Sequence, residues 1–176
     1  MNTPSGDPMV IVLMGVSGSG KSTIGNLLAE KIGCAYFDAD GFHSEQAIAK
    51  MKSGTPLDDR DRLPWLGRIA QKIELLIAED DSGVIGCSAL KRAYRDILVH
   101  GRDDIRIVML DGTKELIAKR LAARKGHFMP PGLLDSQFKT LEPPAPDEQP
   151  ITVSIDAPVE AIVDAIVGQM TNRTAS

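Results

Sequence analysis

Short apolar runs alternate along the chain with segments whose apolar residues recur every three or four positions. The runs are Val10-Ile11-Val12-Leu13, Ala35-Tyr36-Phe37, Val84-Ile85-Gly86-Cys87, Ile105 to Leu110 and Ile151 to Ile155. The first is apolar throughout, as a strand covered on both faces must be. Between the runs, Ile24, Leu27, Leu28 and Ile32 mark a helix that Gly33 can stop, and Ser44 to Lys52 reads as a short helix. Leu66, Ile69, Ile73, Leu76 and Ile77 mark a longer helix, and Leu116, Ile117 and Leu121 another that runs into Arg124. Val159, Ile162, Val163, Ile166, Val167 and Met170 form the clearest stripe, suited to covering one face of a sheet. Strands alternating with helices predict an α/β fold with a mainly parallel sheet. Right-handed crossovers would line up the carboxyl ends of the strands along one edge, where a site should lie. The proline-rich stretch Glu142 to Pro150 reads as a rigid, exposed surface loop.

Length and composition narrow this picture. A chain of 176 residues, 43% hydrophobic and 25% charged, fits one globular domain over 1–176, with flexible ends at 1–8 and 171–176. A net charge of −4 argues against broad nucleic-acid binding, which needs a concentrated positive surface. The two cysteines, Cys34 and Cys87, have no metal-ligand spacing and read as buried, reduced thiols. Met1 to Pro8 lacks the basic and apolar regions of a signal peptide. No apolar run approaches the roughly 20 residues that span a bilayer. A cytoplasmic enzyme is the expectation.

The junction after the first strand carries the most specific chemistry. Gly15-Val16-Ser17-Gly18-Ser19-Gly20-Lys21-Ser22 matches G-x-x-x-x-G-K-[ST] between a strand and a helix, the context of a phosphate-binding loop. Glycines let the backbone close around a polyphosphate with its N–H groups inward, and the helix adds its positive dipole end. Lys21 supplies a cation for the β- and γ-phosphates, and Ser22 a hydroxyl for Mg²⁺. The bland alternative, a glycine-rich turn, does not explain Lys-Ser at that position.

The remaining motifs discriminate among nucleotide-binding classes. No Asn-Lys-x-Asp occurs, which disfavours a GTPase, and the third strand ends in Gly86-Cys87-Ser88 without an acidic residue. The acids lie after the second strand, in Asp38-Ala39-Asp40. One of the pair can join a Mg²⁺ shell while the other accepts a substrate hydroxyl's proton. Arg120 and Arg124, at i and i+4 on a helix end, open the basic segment Arg124-Lys125-Gly126-His127-Phe128, suited to a lid. That helix end could instead face away from the site. Leu57-Asp58-Asp59-Arg60-Asp61-Arg62-Leu63-Pro64-Trp65 is either a solvated helix cap or a polar pocket in which Arg60 or Arg62 binds a carboxylate. Cys87 to Arg92 could add contacts through Ser88 or Lys91, and the two accounts stay open.

Together these segments resemble the gluconokinase family of small P-loop kinases over roughly residues 9 to 168. The match runs through Leu13 to Ser22, Asp38-Ala39-Asp40 with His43, Lys50 to Arg62 with Pro64-Trp65-Leu66, and Cys87-Ser88-Ala89-Leu90-Lys91. It continues through Tyr94-Arg95-Asp96 and Arg124-Lys125-Gly126-His127-Phe128, with Gln137-Phe138 and Leu141-Glu142 trailing. The resemblance implies a three-layer α/β/α sandwich with a five-stranded sheet in order 2-3-1-4-5 and a helical lid at about 124–142. It implies ATP- and Mg²⁺-dependent phosphorylation of D-gluconate at its 6-hydroxyl by a cytoplasmic homodimer, with shikimate or another small hydroxy acid as the alternative acceptor. A nucleotide-binding regulator without transferase activity is the rival from another class.

Site residues follow from the resemblance in the same way. Gly15 to Ser22 and Thr23 would hold the nucleotide. Ser22 and Asp38 would lie in the magnesium shell, and Asp40 would contact the sugar acid and act as base. Arg120 would stack on adenine, Arg124 would clamp phosphates beside Lys21, and Asp156-Ala157-Pro158 would border the base. His43, Arg60, Arg62, Ser88, Lys91, Arg95 and His127 would face gluconate. The departures are Ala39, where a glycine is frequent, and a tail after Pro143 richer in proline.

Overall fold

The computed structural model describes residues 7–124 and 131–174. Lys125, Gly126, His127 and Phe128 of the expected lid, and most of the expected flexible ends, lie outside these. Five strands, β1 (Val10–Met14), β2 (Ala35–Asp38), β3 (Gly83–Gly86), β4 (Ile105–Asp111) and β5 (Ile151–Ser154), form one parallel sheet in the order β2-β3-β1-β4-β5. The described helices are α1 (Lys21–Ile32), α2 (Glu45–Lys52), α3 (Asp59–Ala78), α4 (Arg92–Val99), α5 (Lys114–Ala123), α6 (Pro131–Thr140) and α7 (Val159–Thr174).

The alternation of side chains along β1 builds the layers. Val10, Val12 and Met14 enter one core with Leu66, Ile69 and Ile73 of α3 and Tyr94 and Leu98 of α4. Ile11 and Leu13 point the other way, into a core with Ile24 and Leu28 of α1 and Ile162, Val163 and Ile166 of α7. All five β1 side chains are fully inaccessible, each contributing roughly 1.5–3 kcal/mol of burial free energy. The terminal stripe therefore covers the sheet, as its period predicts. In register, Asp38 pairs with Gly86, Leu13 with Gly86, Met14 with Met109 and Asp111 with Ser154. The loops after all five strands consequently emerge along one edge, and the central β1 loop sits at the crevice where the strand order reverses.

The long helix begins at Asp59, so the charged cluster before Trp65 does supply its cap. Asp58 accepts from Asp61 N–H at 2.9 Å while Asp61 accepts from Asp58 N–H at 3.0 Å, a capping box that starts the helix ahead of Pro64. The short helix α4 follows β3 without having been predicted. At the other end, α7 runs on to Thr174, so residues 171–174 are helical and no loose tail begins at 171.

The proline-rich loop is not simply exposed, and Arg95 is not a substrate cation. Arg95 is 1% exposed. Its Nε and Nη2 donate to the two carboxylate oxygens of Glu148 at 2.7 and 3.2 Å, and Nη1 donates to Ala89 O and Leu90 O. Every donor face of the guanidinium is thereby committed to the protein. Glu148, whose side chain is 6% exposed, also accepts from Ala145 N–H, and Arg92 pairs with Asp147. These contacts strap the 142–150 segment onto α4.

Breaking that buried pair should unfold the strap without touching catalysis. Arg95→Ala leaves an uncompensated buried carboxylate and is expected to cost about 3–5 kcal/mol in urea unfolding, with an unchanged acceptor KM in the folded fraction. Burial acts to raise the Glu148 carboxyl, but the Arg95 and Ala145 hydrogen bonds and the arginine charges outweigh it and hold the group below its ordinary 4.5. A depressed folded value contributes stability that is full above 4.5 and fades as pH falls through the folded value. Unfolding midpoints from about pH 7 to about pH 3 should therefore fall less steeply for Glu148→Gln than for the parent.

Candidate active site

Between β1 and α1 the chain turns through Gly18 and Gly20, whose φ angles of 84° and 98° lie in the left-handed region that glycine enters without a Cβ penalty. Gly20 caps α1 without any side chain bonding to the first-turn amides, unlike Ser44, Asp58 and Thr113 at α2, α3 and α5. Those amides remain available to an anion. Lys21 Nζ lies along the same loop, donating to Gly15 O at 2.9 Å and Val16 O at 3.2 Å. Burial lowers the Lys21 ammonium from its ordinary 10.5, against Asp40, Cys87 and Asp38, which support its charge. The cation, both acids and Cys87 therefore occupy one neighbourhood. Burial pushes the Cys87 thiol up to about 12, so the position where many phosphate-loop enzymes carry an acid is neutral here.

Asp38 ends β2 and caps the 3₁₀ turn Ala39–Phe42 on which Asp40 stands. Asp38 accepts from Asp40 N–H at 2.9 Å, and both side chains are exposed. Helix α3 holds this turn from behind: Trp65 Nε1 donates to the Ala39 carbonyl at 2.7 Å and Arg68 Nε to Phe42 O at 2.6 Å. Ser22, exposed in the first turn of α1, lies close to the Tyr36 hydroxyl. Ser22 and Asp38 offer hard oxygen donors, and no cluster of three or more His, Cys, Asp or Glu side chains among the described residues could hold a metal alone. That set suits a Mg²⁺ ion that keeps several waters and takes phosphate oxygens as further ligands.

Beyond the acids a polar wall continues along α3 and α4. His43 stacks on Trp65 with ring centroids 4.3 Å apart, and its Nδ1 is buried without a partner. Arg62 faces His43 closely enough to disfavour a charge there, and its Nη1 donates to the Tyr94 hydroxyl at 3.0 Å. Tyr94 in turn donates to Asp59, to which Lys91 Nζ also donates at 3.2 Å. Arg62 and Lys91 both approach the Tyr94 ring, at 5.7 and 5.5 Å from its centroid. Of the two accounts of the 57–65 cluster the structure shows the cap, formed by Asp58 and Asp61, while Asp59 and Arg62 belong to the wall. Tyr94 and Asp59 carry no role in the sequence reading. The signal that could have singled out Tyr94 is its position three residues after Lys91, one helical turn along.

The other expected residues divide. Arg120 Nη2 donates to Ile155 O at 2.6 Å, which brings it to the loop leading to Asp156 and Pro158. Arg124 ends α5 and lies near enough to Lys21 for its charge to be felt there. The arginine-bearing helix end thus faces the phosphate loop. Thr23 is exposed beside Ser22, Ser88 is half-buried in the loop after β3, and Arg60 is exposed in the first turn of α3. His127 lies outside the described residues. Ser17, expected to hold the nucleotide with the rest of the loop, is instead gripped by Gln137: its N–H donates to Gln137 Oε1 at 2.7 Å, and Gln137 Nε2 donates to its hydroxyl at 2.9 Å.

Comparison with known proteins gives concordant results. The sequence profile of the shikimate kinase family matches residues 17–167. A probable gluconokinase of Mus musculus is 45% identical over 177 residues, covering 91% of this chain and 96% of that protein. The thermosensitive gluconokinase of Escherichia coli K12 is 48% identical over 145 residues, covering 82% and 77%. Among solved structures, a gluconokinase from Sinorhizobium meliloti 1021 superposes with a TM-score of 0.85 at 39% identity, over 94% of this chain and 93% of its own.

The His43 environment sets a pH expectation. Burial first, then Arg68 and Arg62, lower its imidazole from 6.5 despite the opposing pull of Asp40. An NMR titration should find its midpoint below 6.5, so His43 is neutral at pH 7. Because the unfolded chain binds that proton first, stability relative to His43→Gln should fall as pH drops below 6.5 and level off below the folded value. A midpoint above 6.5 would contradict the stacked, arginine-flanked geometry.

Proposed function

The chain belongs to the gluconokinase family of phosphate-loop kinases, and from that premise we propose that it transfers the γ-phosphoryl group of ATP to the 6-hydroxyl of D-gluconate, giving 6-phospho-D-gluconate and ADP. The observation that carries the acceptor is the wall formed by His43, Arg62, Lys91 and Tyr94, which runs away from Asp40 along the same edge as the phosphate loop. Gluconate is a linear anion with its carboxylate at one end and the reactive hydroxyl at the other. Such a molecule needs a cationic anchor several atoms from the γ-phosphate, and Arg62 with Lys91 supplies it. Shikimate, the second acceptor, also carries a carboxylate and is favoured only by the breadth of the matching profile. A non-catalytic regulator has no use for Lys21, Ser22 and both aspartates together.

The reaction needs little covalent help. The 6-hydroxyl oxygen attacks the γ-phosphorus, its proton passes to an Asp40 carboxylate oxygen, and the bond to the β-phosphate bridging oxygen breaks to release ADP. First-turn amides of α1 and Lys21 stabilise charge on the phosphates, and Arg124 approaches from the lid side. Arg120 and Pro158 border the adenine. Mg²⁺, held through Ser22 and Asp38, would neutralise β- and γ-oxygens when bound. Ser88 and Arg60 add acceptor contacts, with His127 from the lid segment. The family resemblance further supports a cytoplasmic homodimer, and no described helix is long and apolar enough to cross a membrane.

Three substitutions separate these roles, read by ADP release and by ³¹P NMR of the product ester. Lys21→Ala should lower kcat on the order of 10²–10³-fold with the fold intact. Asp40→Asn should lower it by about 10²–10⁴-fold while ATP still binds, and unchanged turnover would remove it from the base role. Arg62→Ala should raise the gluconate KM about 10–100-fold with little change for ATP. An effect confined to ATP would refute the carboxylate contact.

A further inference from the structure

Helix α6 reaches the site through Gln137, whose carboxamide is matched to one residue of the phosphate loop. Oε1 accepts the Ser17 N–H while Nε2 donates to the Ser17 hydroxyl, so both ends of a single side chain read both polar groups of Ser17. The contact spans 120 positions of sequence. It cannot be incidental to a loose helix, because α6 is held from three other directions. Leu134 is buried in the α1–α7 core and Phe138 packs against it. Lys114 of α5 pairs with Asp135. Past the last turn, Leu141 N–H bonds to Gln137 O, and Glu142 N–H donates at 2.8 Å to Leu90 O, beside Lys91 on the acceptor side.

Ser17 sits where the phosphate loop has begun to turn but has not reached Gly18 and Gly20. With its N–H satisfied by Gln137, it is withdrawn from the set of amides that can face a phosphate. The loop downstream is then steered toward one shape, with Gly18 resting against Leu121 of α5, where an added Cβ would come within 2.7 Å. We propose that Gln137 is a positioning residue for ATP: it acts through Ser17 to hold the phosphate loop in its nucleotide-binding conformation. The inference rests on that loop binding ATP and not on the identity of the acceptor. No group on Gln137 meets the substrate, so its removal acts on nucleotide affinity and leaves recognition of the sugar acid alone.

The test pairs steady-state kinetics with calorimetric binding of a non-hydrolysable ATP analogue in the presence of Mg²⁺, on the full chain. Gln137→Leu, which removes both contacts, should weaken analogue binding and raise the ATP KM about tenfold, with the gluconate KM unchanged. Gln137→Glu can keep two hydrogen bonds, through the Ser17 N–H and a turned hydroxyl. It adds a negative charge beside the triphosphate, so its loss of affinity should shrink with added salt as that of Gln137→Leu does not. Ser17→Ala should cost part of the same affinity, and the double variant Ser17→Ala with Gln137→Leu should cost less than the two separate losses combined. Equal rises in both KM values, strictly additive losses, or a lowered melting temperature with unaltered analogue affinity would each overturn the proposal. If Gln137→Leu does not fold, Gln137→Glu and Ser17→Ala still decide it. The analogue titration reads Gln137 even if gluconate proves not to be the acceptor.

Discussion

Between β1 and α1 the chain must reverse direction sharply and still leave the first-turn amides of α1 unbonded by any side chain. The left-handed Gly18 and Gly20 make the reversal, and the absence of a capping side chain at Gly20 keeps the helix N-terminus open to an anion. The other features of the carboxyl edge are arranged around that requirement. Because β1 is buried on both faces, the loop is carried on the most rigid element of the fold. Because all five strands are parallel, the acids at the end of β2 and the thiol after β3 arrive at the same edge, and Arg120 is held there by its hydrogen bond to Ile155 O beyond β5. Lys21 is desolvated there, which makes its charge more effective toward a phosphate and dependent on the acids around it.

The polar wall along α3 and α4 solves a different problem, that of keeping its cations apart from Asp38 and Asp40. Arg62 and Lys91 are occupied by Tyr94 and Asp59, neutral and acidic partners at the far end of the wall. Asp40 is left to the Lys21 end. Trp65 serves both tasks, since its indole N–H holds the Ala39 carbonyl while its ring face supports His43. A gluconate carboxylate arriving at Arg62 and Lys91 would exchange partners with Asp59, whose exposed carboxylate water can then solvate, and with the phenol.

Much of the fold was legible because its signals are local and repeated. A fully apolar β1, the 3.6-residue stripe from Val159 to Met170 and the glycine-lysine loop each report their environment in a few neighbouring residues. Helix α4 was not read from the sequence, and the charges before Pro64 left a helix cap and a polar pocket both open. At the site, residue types near the phosphate loop were readable, since spacing from Gly15 and from the end of β2 constrains them. Arg95 shows the limit. As a cation beside Tyr94 it was indistinguishable in sequence from Lys91, and only the distant Glu148 decides that it is structural. Gln137 is the mirror case, a neutral residue 120 positions from its partner, whose meaning appears only once α6 is packed.

Reading the acceptor wall as a carboxylate anchor is tested most directly by comparing D-gluconate with D-glucitol, the same six-carbon chain with a hydroxymethyl group in place of the carboxylate. ATP-dependent ADP release should be rapid with gluconate. With glucitol, kcat/KM should fall by about 10²-fold or more, since a buried charge-assisted pair goes unmade. Equal kcat/KM for the two acceptors, or no ADP release with gluconate at all, would contradict it.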